Sequence, residues 1–113
     1  MITVYHNAQC SKSNSVCELL ATHHVKAHIV EYLKTPLGKE DINALLTLLG
    51  MQPSGLIRRN EPVFIALYEG RDLTEEDYLQ AMVLHPVLIE RPIIVKEGKA
   101  IIGRPPEKVL SLL

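Results

Sequence analysis

The chain has few cysteines, almost no net charge and no long apolar run, and each shortage removes a class of protein. Only two cysteines occur, Cys10 and Cys17. Along a helix their spacing corresponds to a rise of about 10 Å, beyond the roughly 7 Å Cα separation a disulfide tolerates without backbone movement. Neither a disulfide framework nor an internal thiol relay is therefore expected, and two such thiols suit a reducing compartment. With 12 Lys plus Arg against 13 Asp plus Glu, the formal charge of −1 leaves no electrostatic footprint for nucleic acid. No charged leader precedes an apolar stretch and no run approaches a membrane span, so a cytoplasmic protein without a membrane segment is expected. The five histidines, His6, His23, His24, His28 and His85, lack the spacing of a metal site, so no metal and no bound cofactor is expected. Repeats, low-complexity segments and linkers are missing too, and 113 residues read as one domain, 1–113.

What is present is a clear alternation of periods. Ile2-Thr3-Val4-Tyr5 reads as a strand, and Val16, Leu19, Leu20 and His23 follow the helical spacing from about Ser11 to His24. Ala27 to Leu33 reads as a second strand, which makes a βαβ unit with parallel strands and a right-handed crossover. Ile42, Leu45, Leu46 and Leu49 mark a helix that Gly50 stops; a short helix is expected at Gly55–Arg59, another from Val63 to Tyr68, and a capped one from Thr74 that Pro86 bounds. Pro92–Lys96 and Lys99–Gly103 flank Glu97-Gly98, a two-residue hairpin connection, and Pro105-Pro106 opens a last helix. The predicted fold is α/β: a mixed four-stranded sheet, ordered βαβ … ββα, with a helical insertion.

Cys10 falls where the first strand passes through His6-Asn7-Ala8-Gln9 into the first helix. A thiol at that junction faces free helix N–H groups and the positive end of the helix dipole, which favour its thiolate. In Cys10-Ser11-Lys12-Ser13 the second thiol of a Cys-x-x-Cys is replaced by the Ser13 hydroxyl. An oxidised or adducted Cys10 must therefore be resolved by a thiol from another molecule. Cys17, between Val16 and Leu20, reads as a small buried hydrophobe. Lys12 either lowers the Cys10 pKa or is a solvated cation, and His6 either supports the thiolate or fills a hydrogen-bonding niche. Arg58, expected on an inserted helix, and Arg91 and Arg104, each followed by proline, stand at corners from which guanidinium groups could hold a tetrahedral oxyanion beside a thiolate.

The segments Tyr5–Ser13, Gly55–Asn60, His85–Val95 and Gly103–Pro106 together resemble the glutaredoxin-coupled arsenate reductase family, in particular its short branch. The resemblance implies a thioredoxin-like fold, Cys10 as the catalytic nucleophile, and Arg58, Arg91 and Arg104 as ligands of arsenate or another tetrahedral oxyanion. It also implies a cis bond between Arg91 and Pro92, glutathione as co-substrate and glutaredoxin as partner. The phosphatase-like arsenate reductases are excluded, because Val16 stands where their Cys-x5-Arg loop needs its arginine. Two other classes remain open: a glutathione-linked disulfide reductase without oxyanion activity, and a redox-responsive regulator binding RNA polymerase, which commonly carries the second cysteine that Ser13 replaces.

Overall fold

Alternation in the first four-residue strand sets the architecture. In the computed structural model, which describes residues 1–113, Ile2 and Val4 of strand β1 (Ile2–Tyr5) are buried while Thr3 and Tyr5 are only partly covered. β2 (Ala27–Val30) pairs parallel to β1, and β3 (Ile93–Lys96) pairs antiparallel to its other edge, placing Ile94 opposite Val4. β4 (Lys99–Ile102) completes the hairpin, so the sheet runs β2-β1-β3-β4. The hairpin turn at Glu97 and Gly98 has φ of 48° and 77°, the left-handed pair that matches strand twist. Helix α1 (Ser11–Thr22) and a 3-10 helix (Pro106–Leu112) cover one face. Val16 and Leu20 of α1 and Val109 of the 3-10 helix form a core with Ile2, Val4 and Ile94.

This unit comprises Met1–Thr35 and Arg91–Leu113; residues Pro36–Glu90 form a second compact unit, made of helices. There α2 (Lys39–Leu49) starts at Gly38, whose N–H donates to Asp41 Oδ2 at 2.9 Å, and ends at Gly50, left-handed with φ 68°. α3 (Pro53–Leu56) and α4 (Pro62–Leu67) each open on a proline. α5 (Glu75–Leu84) has the expected capping box: Thr74 Oγ1 accepts from the Asp77 N–H at 3.2 Å and Asp77 Oδ2 accepts from the Thr74 N–H at 2.9 Å. A 3-10 turn at Pro86–Leu88 packs against α5.

Three expectations need correction. The second strand ends at Val30, not Leu33, because Glu31 turns the chain by accepting from the Lys34 and Thr35 N–H groups. The last helix is 3-10: Lys108 N–H reaches Pro105 O, and Ser111 Oγ takes up the Lys108 carbonyl at 2.8 Å, a side-chain bond that competes with the α-helical ladder. The short helix expected at Gly55–Arg59 is shifted to Pro53–Leu56, after which Ile57 becomes extended and bridges Ile89. Arg58 thus follows a helix rather than riding on one.

Candidate active site around Cys10

Cys10 is the N-cap of α1, in an extended conformation (φ −101°, ψ 122°), and is buried at 9% exposure. The approach to it is tied down at several points. The Cys10 N–H donates to Asn7 O at 3.0 Å, Asn7 Oδ1 accepts from the Gln9 N–H at 2.9 Å, and Asn14 Nδ2 donates to Ala8 O at 2.9 Å. Ser13, fully buried, accepts the Asn7 N–H at 3.1 Å on Oγ and lies 2.6 Å from His6 Nδ1. With one proton and two lone pairs, the Ser13 hydroxyl can accept from Asn7 and still bond His6 Nδ1 in either tautomer of the imidazole. Burial pushes the His6 pKa down, with Glu31 opposing.

The sulfur is surrounded by donors. Burial pushes the Cys10 pKa up, but the Ser13 N–H, the Arg91 side chain, the Lys12 N–H and the Arg104 side chain all favour the anion, and the net shift is downward. Arg104 Nη1 lies 3.8 Å from Cys10 Sγ and donates to the Arg91 carbonyl oxygen at 2.9 Å. Arg91 is itself buried, at 9% exposure. Both the Arg91-Pro92 and the Arg104-Pro105 peptide bonds are cis. The first agrees with the family resemblance; the second was not anticipated.

A profile of the ArsC family matches residues 5–112. The chain belongs to the ArsC family. The Escherichia coli K12 protein named "Uncharacterized protein YfgD" is 43% identical over 114 residues, covering 99% of this chain and 96% of that one. An arsenate reductase of Neisseria meningitidis serogroup A is 33% identical over 114 residues, with 99% and 97% covered. Among solved structures, an arsenate reductase from Vibrio cholerae superposes with a TM-score of 0.93 at 37% identity, covering 99% of this chain and 97% of that one. The mixed sheet with its helical insertion is thus the thioredoxin-like fold of the ArsC family.

Of the residues singled out in the sequence, the structure gathers Cys10, Arg91 and Arg104 at the N-terminus of α1, with Pro92 buried beside Arg91 in the chain. Lys12 acts on the thiolate through its backbone N–H; its side chain is exposed. His6 and Ser13 are partners of each other, and the niche reading of His6 is the one the geometry carries. Arg58 is engaged in the helical unit, with Nε donating to Glu61 Oε1 at 3.1 Å and Nη1 to Glu90 Oε1 at 2.5 Å. Cys17 is half-buried, with Sγ 3.6 Å from His6 Nδ1, and burial pushes its pKa up, with Glu18 adding to the rise. It is less buried than its place between Val16 and Leu20 implied. No group of three or more His, Cys, Asp or Glu is arranged to hold a metal ion, and no helix is long and apolar enough to cross a membrane. Sequence reading passed over Asn7 and Asn14, although short amides beside a helix start commonly bind local backbone.

Proposed function

We propose that the protein reduces arsenate to arsenite, with Cys10 as nucleophile and glutathione and glutaredoxin supplying the electrons. The observation that carries this reading is the pairing of a thiolate-favouring Cys10 with two guanidinium groups, those of Arg91 and Arg104, on the same sulfur. Reduction of a small neutral disulfide needs the thiolate but has no use for two fixed cations. An oxyanion substrate needs both. The named activity of the Neisseria and Vibrio relatives supports the choice of arsenate.

The steps follow from one usable thiol. Arsenate sits with its oxygens on Arg91, Arg104 and the N-terminal amides of α1. The Cys10 thiolate attacks arsenic, an As–O bond breaks, and the oxygen leaves as water after taking up protons, giving a Cys10–As(V) adduct. A glutathione thiolate then attacks the Cys10 sulfur. The S–As electron pair passes to arsenic, which leaves as As(III), and Cys10 is left as a mixed disulfide with glutathione. Glutaredoxin removes the glutathionyl group by thiol–disulfide exchange and restores Cys10. Ser13 cannot perform that last step, because its side chain is a hydroxyl committed to His6 and Asn7.

The test is NADPH oxidation coupled through glutathione reductase, with glutathione, glutaredoxin and arsenate. The expected result is turnover that requires all of these and Cys10. Turnover of a neutral disulfide with none of arsenate would move the assignment to a glutathione-linked disulfide reductase.

A further inference from the structure

The turn that leads the chain into Cys10 has one peptide plane held at both ends by asparagine side chains. Asn7 to Cys10 form a β-turn closed by the Cys10 N–H on Asn7 O at 3.0 Å. Neither Ala8 nor Gln9 at its centre has a positive φ, as in a type I turn. In the central peptide, Ala8-Gln9, the N–H donates to Asn7 Oδ1 at 2.9 Å and the carbonyl accepts from Asn14 Nδ2 at 2.9 Å. The first bond is ordinary local chemistry for an asparagine that opens a turn. The second comes from beyond the cysteine, out of the first turn of α1. The backbone N–H of Asn14 also takes the Cys10 carbonyl, at 3.0 Å, so one residue binds a carbonyl before the cysteine and the carbonyl of the cysteine itself. Ala8, Gln9 and Asn14 are exposed while Cys10 is buried. Hydrogen bonds, not burial, therefore hold the outer part of the turn.

Two of the donors to the Cys10 sulfur, the Lys12 and Ser13 N–H groups, belong to α1. The sulfur meets them only while the entering chain keeps its angle to the helix. We propose that Asn14 is a positioning residue for Cys10: by tying the Ala8 carbonyl to α1 it fixes the entry of the chain and keeps the sulfur on the N–H groups of the helix start. Ser13 Oγ, which accepts the Asn7 N–H at 3.1 Å, anchors the inner end of the same turn. Without the Asn14 amide the outer end has no tie to the helix, and a share of the molecules holds the sulfur away from its donors, where the thiolate is unsupported. This inference rests on the reading that Cys10 is the reacting thiol.

Asn14→Ala removes the amide and, alanine being the better helix former, does not weaken α1 through propensity. The readout is the rate of Cys10 alkylation by iodoacetamide across pH, followed by mass spectrometry on the full chain. In Asn14→Ala the midpoint should rise, and the rate at neutral pH should fall about two- to tenfold, the span of one net hydrogen bond. The limiting rate at high pH should be kept, and the melting temperature should move little. Asn14→Gln, which keeps a donor amide on a longer stem, should recover part of the loss. An unchanged midpoint in Asn14→Ala overturns the proposal. So does a shift that Asn14→Gln leaves wholly unrelieved, or one that comes with a marked fall in melting temperature, since fraying of the helix then explains it. Coupled arsenate turnover keeps the two readings apart. Where the unsubstituted protein reduces arsenate, kcat/KM in Asn14→Ala should fall by the same factor as alkylation and recover at high pH; a loss that persists there overturns the positioning role. If no arsenate is reduced and the midpoint still shifts, the arsenate reading falls and the positioning of Cys10 stands.

Discussion

Replacing Arg91 by Ala separates oxyanion chemistry from ordinary thiol chemistry, and the structure indicates how large the separation should be. The Arg91 side chain is buried and donates to the Cys10 sulfur, whereas its main-chain carbonyl, which anchors Arg104 Nη1 at 2.9 Å, survives the substitution. Arg104 should therefore stay in place, and the loss is confined to one guanidinium. That guanidinium has two tasks under the proposed mechanism: it stabilises the resting thiolate and it binds the oxygens of arsenate. Losing a fixed donor to a developing oxyanion costs about 2 to 4 kcal/mol, or roughly 30- to 900-fold in kcat/KM. The first task is lost in part as well, because with one donor fewer the Cys10 pKa rises and the thiolate population at neutral pH falls. The two losses differ in their pH dependence. Thiolate population recovers once the pH exceeds the altered pKa, whereas the oxyanion loss persists on that plateau. Coupled arsenate reduction should stay depressed at high pH in Arg91→Ala, while reduction of a neutral disulfide should return to the unsubstituted rate. Recovery of both activities at high pH would refute the oxyanion role. Equal losses on both at every pH, with a lowered melting temperature, would trace the effect to folding.

Cys10→Ser should abolish arsenate reduction and Cys17→Ser should leave most of it, as the coupled assay will show; an essential Cys17 would refute the site assignment. Because the Cys10 pKa is lowered and the Cys17 pKa raised, iodoacetamide at neutral pH should label Cys10 selectively, with a midpoint below that of Cys17, and preferential labelling of Cys17 by mass spectrometry would contradict the electrostatics. Ser13→Ala leaves the buried Asn7 N–H without its acceptor and should cost about 1 to 3 kcal/mol by urea denaturation, with slower Cys10 alkylation as its local signature; unchanged stability would mean that the loop is held by other bonds. Gly103→Ala places a Cβ 2.8 Å from Val16 Cγ2, 2.9 Å from Ile94 Cδ1 and 3.0 Å from Pro92 Cγ, so overpacking should destabilise by about 1 to 3 kcal/mol. A neutral result there would show that the core beneath Cys10 can yield.

The parts of the fold that could be read from the sequence are those set by local chemistry. Gly50 ends α2 in the left-handed conformation, Thr74 and Asp77 cap α5 reciprocally, and Glu97-Gly98 makes the hairpin turn. Each signal lies within a few residues of its effect. The position of Cys10 was legible for the same reason, since a strand followed by a Ser-rich helix start puts it at the N-cap. Arg58 was misplaced because its backbone is set by pairing with Leu88–Glu90, a partner some thirty residues away that no local period announces. Glu90, the more distant of the two carboxylates that hold it, was invisible for the same reason. Cys17 shows the limit of helical spacing: periodicity gives the face of α1 it occupies, but not that His6, from the end of the preceding strand, reaches within 3.6 Å of its sulfur.

The same donors that favour the thiolate are those an oxyanion would use, and this shapes the proposed chemistry. Arg91, Arg104 and the amides of Ser13 and Lys12 already stabilise one negative charge on Cys10. Bringing an arsenate anion to the same cations sets two anions against each other, which would be unfavourable if the donors could be shared only by exclusion. Guanidinium groups avoid that conflict, because each carries several N–H donors in a fixed plane and can hold sulfur with one and oxygen with another. As the S–As bond forms, charge leaves sulfur and gathers on the arsenate oxygens, so donors released by the thiolate are available where charge is developing, without reorganisation. A lysine in either position would offer one compact charge to both anions and could not divide its donors in this planar way. The chemistry therefore asks for arginine at both positions beside Cys10, each immediately before a cis proline.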